Sequence, residues 1–236
     1  VLDHIKQRQS GEPGDDLLGQ IVTARDRQTG EGMTDRQLVD ETLTMVVAGH
    51  ETTASALNWL WYLLARHPEA EARMHAEIDA SPDVPEDAEL LAALPYTRQV
   101  IEETMRLYPP GWLLTRRAIG ADVIGGHPVD PGTDIFISPF LVHRHPAFWD
   151  APEAFRPERF EPAAKAARNR FCYLPFALGP RACIGEHFAM VEMIIHTTAI
   201  ARRLRLRYAG TEEIAMECQV NLRPSAPIHM QPEERQ

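Results

Sequence analysis

The longest hydrophobic pattern in the chain begins at Thr34 and runs without a break to His67-Pro68. Thr34 and Gln37 have the spacing of a capping box, and Asp35 puts negative charge in the first turn, so a helix is expected over about 34–67. At 1.5 Å per residue such a rod is roughly 48 Å long. From Leu57 to Leu64 the pattern is apolar on most sides (Trp59, Leu60, Trp61, Leu63), which predicts that this half is buried in a substantial core. Upstream, Val1–Gln9 carries Asp3, His4, Lys6 and Arg8; it reads as the interior of a helix and not as a signal peptide. With Val in place of Met at the start, the N-terminus is expected to be incomplete. Ser10, Gly11, Pro13, Gly14, Gly30 and Gly32 flank a short apolar piece at Leu17–Val22, predicting loop, short helix, loop.

Downstream, Pro68 suits the first position of a second helix reaching about Ala80, followed by an acidic, proline-containing linker from Ser81 to Glu89. A third helix is expected over about Tyr96–Tyr108, stopped by Pro109-Pro110. Short strands are predicted at Leu113–Ala118, Asp122–Ile124 and Thr133–Ser138, punctuated by Gly125-Gly126 and Pro131-Gly132. Residues 146–182 form a long proline-studded stretch, and ordered loops of that length are uncommon without a function. Helical periodicity returns from Ile184 to about Arg203. Alternation at Leu204, Leu206 and Tyr208, and again near Ala215–Leu222, suggests a closing hairpin. The fold class expected is therefore mainly α with small β-sheets.

Composition narrows the chemistry. The 236 residues are 44% hydrophobic and 25% charged, ordinary for a globular domain, and the formal net charge of -10 argues against non-specific nucleic-acid binding. Three widely spaced cysteines (Cys172, Cys183, Cys218) suggest neither a disulfide scaffold nor a zinc or iron–sulfur ligand set, and the reducing cytoplasm is the expected location. No stretch approaches the roughly 20 apolar residues of a membrane span. Hydrolase, P-loop and dinucleotide-binding signatures are missing from the sequence.

Most informative is Phe176-Ala177-Leu178-Gly179-Pro180-Arg181-Ala182-Cys183-Ile184-Gly185, leading into a helix. Glycines allow close backbone approach to something flat or bulky. A cysteine near a helix N-terminus is favoured as the thiolate, the form that ligates metal, and Arg181 could pair with an anionic part of the same ligand. A buried structural cysteine near a turn is the plain alternative. The segment resembles the haem-binding signature of the cytochrome P-450 family, with Phe176, Gly179, Arg181, Cys183 and Gly185 at matching positions. Ala177 departs from it, standing where the family usually has glycine.

The resemblance implies a haem b cofactor with Cys183 as axial thiolate, whose electron donation favours O–O cleavage. It extends to Ala48-Gly49-His50-Glu51-Thr52-Thr53, poor helix formers in the middle of the long helix. Read from the residues alone, these could be a solvated Glu beside a helix-bending Thr, and the zinc motif begun by His50-Glu51 fails because Ala54 replaces its second histidine. As the family's oxygen-activation motif, Ala48 and Gly49 would leave space over the haem, and Glu51 with Thr52 would relay protons. Glu103 and Arg106, which alone read as a surface ion pair, correspond to the family's E-x-x-R motif. With Arg159 they would lock the proline-rich loop on the proximal side, in a structural role. Arg117, with Arg116 as a rival, stands where the family often contacts a haem propionate.

His143-Arg144-His145 fits a short family pattern better than a metal site. Lys165, Arg168, Arg170 and Arg181 form a basic run that could dock an acidic electron donor. Taken together, the resemblance implies a monooxygenase of the soluble bacterial type. It would insert one oxygen atom from O2 into an apolar small molecule, with electrons from a separate ferredoxin or flavoprotein reductase. Apolar residues near Ala48 and after Pro110 (Trp112, Leu113, Leu114) suit such a substrate. It also implies that residues 1–236 are the C-terminal part of one domain whose N-terminal part is missing. A truncated, catalytically incompetent fragment is the alternative.

Overall fold

A computed structural model describes residues 1–81 and 90–235, so most of the expected acidic linker lies outside the described residues. The helices are α1 (Leu2–Ser10), α2 (Leu17–Thr23), α3 (Asp35–Arg66), α4 (Pro68–Ala80), α5 (Leu90–Ala93), α6 (Pro95–Leu107), α7 (Pro139–Val142), α8 (Pro162–Ala167) and α9 (Glu186–Ala201). The strands are β1 (Leu114–Arg117), β2 (Asp122–Ile124), β3 (His127–Val129), β4 (Asp134–Ile137), β5 (Leu204–Tyr208), β6 (Met216–Cys218), β7 (Leu222–Pro224) and β8 (Met230–Glu234). The mainly α class with small sheets is as expected. The chain divides into two compact units, Val1–Glu51 and Thr52–Gln236, with the division falling inside α3.

In the first unit, α1, α2 and the start of α3 enclose a small cluster of Ile5, Ile21 and Leu38. Asp16 caps α2, its carboxylate accepting from the Gly19 N–H at 2.9 Å. The capping box that opens α3 is formed in both directions. The Gln37 N–H donates to Thr34 Oγ1 at 3.3 Å, and the Thr34 N–H donates to Gln37 Oε1 at 2.9 Å.

In the second unit the apolar half of α3 is buried as its pattern demands: Trp59, Leu60, Tyr62 and Leu64 are inaccessible to solvent or nearly so. They belong to a core shared with α4 (Met74, Ile78), α6 (Val100, Ile101) and α9 (Met193, Ile194), apart from Trp59 and Tyr62, which pack beside it through their rings. Helix α6 is buried almost throughout, and its start is capped from outside. Glu77 of α4 accepts from the N–H groups of Tyr96 and Thr97 at 2.6 and 2.7 Å, a carboxylate on a helix N-terminus. Proline 109 ends the helix where the sequence says it must.

Each sheet is a two-stranded antiparallel ribbon: β1 with β4, β2 with β3, β5 with β8 and β6 with β7. Strand β3 was not expected, being three residues long and centred on Pro128; Gly125 and Gly126, both at positive φ, turn the chain between it and β2. The expected closing hairpin is wrong. Residues 204–208 pair with Met230–Glu234, while 216–218 fold back on 222–224. Strand β8 is polar and shows no alternation to announce it; the Arg207–Glu233 ion pair at 3.0 Å helps hold it to β5.

Behind β5 and β8, His75 of α4 is 3% exposed and neither ring nitrogen has a hydrogen-bond partner among the described residues. Burial, then the charges of Arg235 and Arg205, holds its imidazolium pKa down to about 4. As pH falls from 6.5 to about 4, the unfolded chain takes up the proton first, so stability falls across that window. Replacing His75→Leu is expected to remove up to one proton, about 1.4 kcal/mol per pH unit, from the slope of unfolding free energy against pH. Urea denaturation between pH 7 and 4 checks this. Equal slopes in parent and variant would show that His75 titrates normally.

Candidate haem-thiolate site

The site grows from the junction between the proline-rich stretch and α9. Leu178–Cys183 forms a loop with a 3-10 turn at Gly179–Arg181, and the Cys183 N–H donates back to the Phe176 carbonyl at 2.8 Å. That bond closes the loop and sets Cys183 shortly before the first residue of α9. The thiol is exposed, and so are its apolar neighbours in sequence: Leu178 is 39%, Ile184 93% and Phe188 66% accessible. Phe176 is half-buried. Apolar side chains left in water around a soft ligand atom are what a large, flat, apolar group would cover. A side chain at Gly179, at φ 78°, would meet nothing within 4 Å, whereas one at Gly185 would touch the Cys183 sulfur at 3.9 Å. Arg181 is exposed and makes no ion pair among the described residues. No cluster of three or more His, Cys, Asp or Glu able to hold a bare metal ion occurs among the described residues.

Ala177 sits inside this loop at φ 59°, in the left-handed region. Its methyl group is strained there in a way glycine is not. The departure noted in the sequence therefore falls on a backbone position that favours glycine.

The second cluster is a buried ion pair. Glu103 and Arg106 have no accessible surface, and Arg106 donates to both carboxylate oxygens at 2.7 and 2.8 Å. The guanidinium also donates to the carbonyls of His143 (2.9 Å), Pro152 (2.6 Å) and Ala154 (3.1 Å), so all five of its N–H groups are used. Glu103 accepts from the Arg156 N–H at 2.8 Å and pairs with Arg159 at 3.5 Å. The three residues expected together are together, and they tie α6 to the end of α7 and to residues 152–159 of the proline-rich stretch.

Sequence reasoning missed much of what surrounds them. His143 is fully buried, accepting from the Leu174 N–H at 2.7 Å, with burial holding its pKa down to about 3. Tyr173 donates to the Glu102 carbonyl at 2.8 Å. Trp149 lies under the guanidinium groups of Arg106 (5.0 Å) and Arg168 (4.3 Å). The aromatic content of 142–173 was the available signal. Of the basic run, Lys165 pairs inward with Glu102 at 2.7 Å and Arg168 is spent on Trp149 and Phe160, leaving Arg170 and Arg181 outward.

On β1, Arg117 makes a two-pronged pair with Asp134, its cross-strand partner, at 2.7 and 2.9 Å, whereas Arg116 donates only to the neighbouring Thr115 carbonyl. In the first unit, Leu43, Val46 and Val47 are exposed along one face of α3, and Ala48, Gly49 and Glu51 are exposed too. In the second unit, Thr52 is the first residue of its part of α3 and is exposed, and burial begins at Thr53.

The family model for cytochrome P450 matches residues 2–231. This chain belongs to the cytochrome P450 family. It is 40% identical to cyclooctatin synthase of Streptomyces melanosporofaciens, a match covering all of this chain and 51% of that protein. It is also 40% identical to cyclooctat-9-en-7-ol 5-monooxygenase of the same organism, over 86% of this chain and 44% of the other. Among solved structures, the heme domain of cytochrome P450DA superposes with a TM-score of 0.93 at 29% identity, covering all of this chain and 52% of that one. The chain thus spans about half the length of the curated relatives it matches. Within this P450 chain no described helix is long and apolar enough to cross a membrane.

Two stability predictions follow from the geometry. Arg106→Met leaves the Glu103 carboxylate buried without its main partner and is expected to cost about 3–5 kcal/mol. Ala177→Gly is expected to stabilise by about 1 kcal/mol, because it removes the left-handed strain. Chemical denaturation of each variant beside the parent checks both; a neutral Arg106→Met or a destabilising Ala177→Gly contradicts the corresponding account.

Proposed function

We propose that this chain carries the haem-binding half of a P450 monooxygenase, with Cys183 as the axial ligand of haem b and an apolar small molecule as substrate. The observation that carries the proposal is the exposed Cys183 thiol on a closed loop flanked by exposed Leu178, Ile184 and Phe188. When bound, the haem supplies O2 activation. The chain's own residues supply the rest. Phe176, Gly179 and Gly185 shape the loop for close approach, and Arg181, exposed beside the cysteine, would pair with a propionate. Arg117 is a second propionate partner: its exposed pair with Asp134 is of the weakly held kind and can be exchanged. The likeness of Ala48–Thr52 to the family's oxygen-activation motif supports Glu51 and Thr52 as the proton relay, Gly49 as the residue that leaves room for O2, and Ala48 as a haem neighbour. Glu103, Arg106 and Arg159 hold the proline-rich stretch and act through it. An acidic ferredoxin or flavoprotein reductase is the electron donor, with Arg170 as the outward cation of the basic run left for it, and the cytoplasm is the location.

The test is haem uptake followed by the absorption spectrum of the reduced, CO-bound protein. A thiolate-type Soret band in this chain, lost in Cys183→Ser, is expected. Failure to take up haem would favour the catalytically incompetent fragment. In protein that shows the band, Thr52→Ala is expected to keep it and to lower product formation per electron consumed. The rate of product formation is expected to fall by roughly 10² or more, the range of a missing proton donor.

A further inference from the structure

We propose that Trp59, Tyr62 and Tyr208 form a one-electron relay that carries an oxidising equivalent from the buried part of α3 to the surface. The rings touch in series. Trp59 and Tyr62 have centroids 5.8 Å apart, edge to face, and Tyr62 and Tyr208 are 5.3 Å apart in the same arrangement. Trp59 is completely buried, Tyr62 nearly so, and Tyr208 is half-buried on β5. The relay begins seven residues beyond Thr52 on the same helix, about 10 Å along its axis. Trp149 and Tyr173 pack with Phe160 in a separate cluster, and no described ring contact joins the two sets.

The surroundings give the relay a direction. The indole N–H of Trp59 has no hydrogen-bond partner among the described residues, so an oxidised indole has no acceptor for its proton and is refilled by an electron from a neighbour. Tyr108 stacks on Trp59 at 3.9 Å and can share the positive charge. It is a poor outlet, because burial raises its phenol pKa to about 12 and the Arg144 guanidinium lies 5.8 Å over its ring. Tyr62 also has a guanidinium over its ring, that of Arg66 at 5.5 Å, but Arg66 is exposed and water screens its charge. At the outer end, the Tyr208 hydroxyl donates to the Glu212 carbonyl at 3.0 Å in an exposed turn, where its proton can leave to water.

The net step balances. One electron passes from Tyr208 through Tyr62 to Trp59 and on to the oxidant, and one proton passes from Tyr208 to water, leaving a neutral phenoxyl. A soluble thiol or similar one-electron, one-proton donor restores the phenol. The oxidant is the strong one-electron oxidant that an O2-activating site can release when no substrate consumes it; for that source the inference rests on the proposed function. The relay would spare the buried core from oxidation.

The test supplies its own oxidant. Asn58 is exposed and adjacent to Trp59; Asn58→Cys, in the full chain with Cys183→Ser and Cys218→Ser, takes a ruthenium photosensitiser while Cys172 stays buried. After flash-quench oxidation with a nitroso spin trap present, peptide mass spectrometry maps the adducts. An adduct on Tyr208 is expected, with most of it lost in Tyr62→Phe and equally in Trp59→Phe, a variant that keeps both tyrosines. A Tyr208 adduct unchanged in both variants, or none in the parent, overturns the relay. No haem is needed, so failure of the chain to bind haem would defeat the proposed function and leave this outcome decisive for the relay.

Discussion

The buried ion pair between Glu103 and Arg106 is the constraint on which the second unit depends. Two opposite charges without water around them persist only if every polar atom finds a partner. Arg106 meets that condition by using all five N–H groups, one of them on the His143 carbonyl at the end of α7 and two on carbonyls of the proline-rich stretch. Glu103 adds the Arg156 N–H and the Arg159 side chain. The proline-rich stretch from 146 onward forms local turns with its own backbone bonds, and the side chains of one helix anchor those turns at 152–159. Its turns then set the ring cluster of Trp149, Phe160 and Tyr173, and His143 bonds to Leu174, the residue whose carbonyl holds the Ala177 N–H. A chain of direct contacts therefore runs from the ion pair to the loop that carries Cys183.

That loop balances order against access. Its closure by the Cys183–Phe176 hydrogen bond fixes the thiol, yet the thiol and its apolar neighbours remain in contact with water. Exposure of Ile184 and Phe188 on this scale is unfavourable for a finished surface. It makes sense for a surface that another group is meant to cover. The strain at Ala177 belongs to the same picture: local backbone strain persists only where the surroundings determine the conformation, and here the loop is pinned on both sides.

Much of the fold was legible because helices announce themselves twice, by period and by their ends. The capping box at Thr34, Pro68 at a helix start and Pro109 after a helix end located three helices to within a residue or two. The strands were legible only where they alternate or are bracketed by glycine. Strand β8, polar after Met230, and β3, built around a proline, carry their information in the partner strand and not in their own sequence. The site divided in the same way. Cys183 and its glycines form a local motif. Glu103 and Arg106, by contrast, look like any i, i+3 surface pair until the fold buries them. Nothing in those residues distinguishes the two cases; the difference lies in the carbonyls of His143, Pro152 and Ala154, about 40–50 positions away, which no local pattern links to them.

The weak helix formers of α3 show how a segment proposed for proton delivery can sit where local propensity argues against it. Gly49, Thr52 and Thr53 each cost helix stability, and a helix held only by its own hydrogen bonds would fray there. The helix is secured instead at its start by a two-way cap at Thr34 and Gln37, and beyond Thr53 by the burial of Trp59, Leu60 and Leu64. Propagation from two fixed ends tolerates a poor stretch between them, because each added residue closes one further hydrogen bond without a new nucleus. The stretch from Ala48 to Thr52 is thereby free to be chosen for chemistry. A substitution there that improves helix propensity should raise stability by up to about 1 kcal/mol and alter whatever those side chains do.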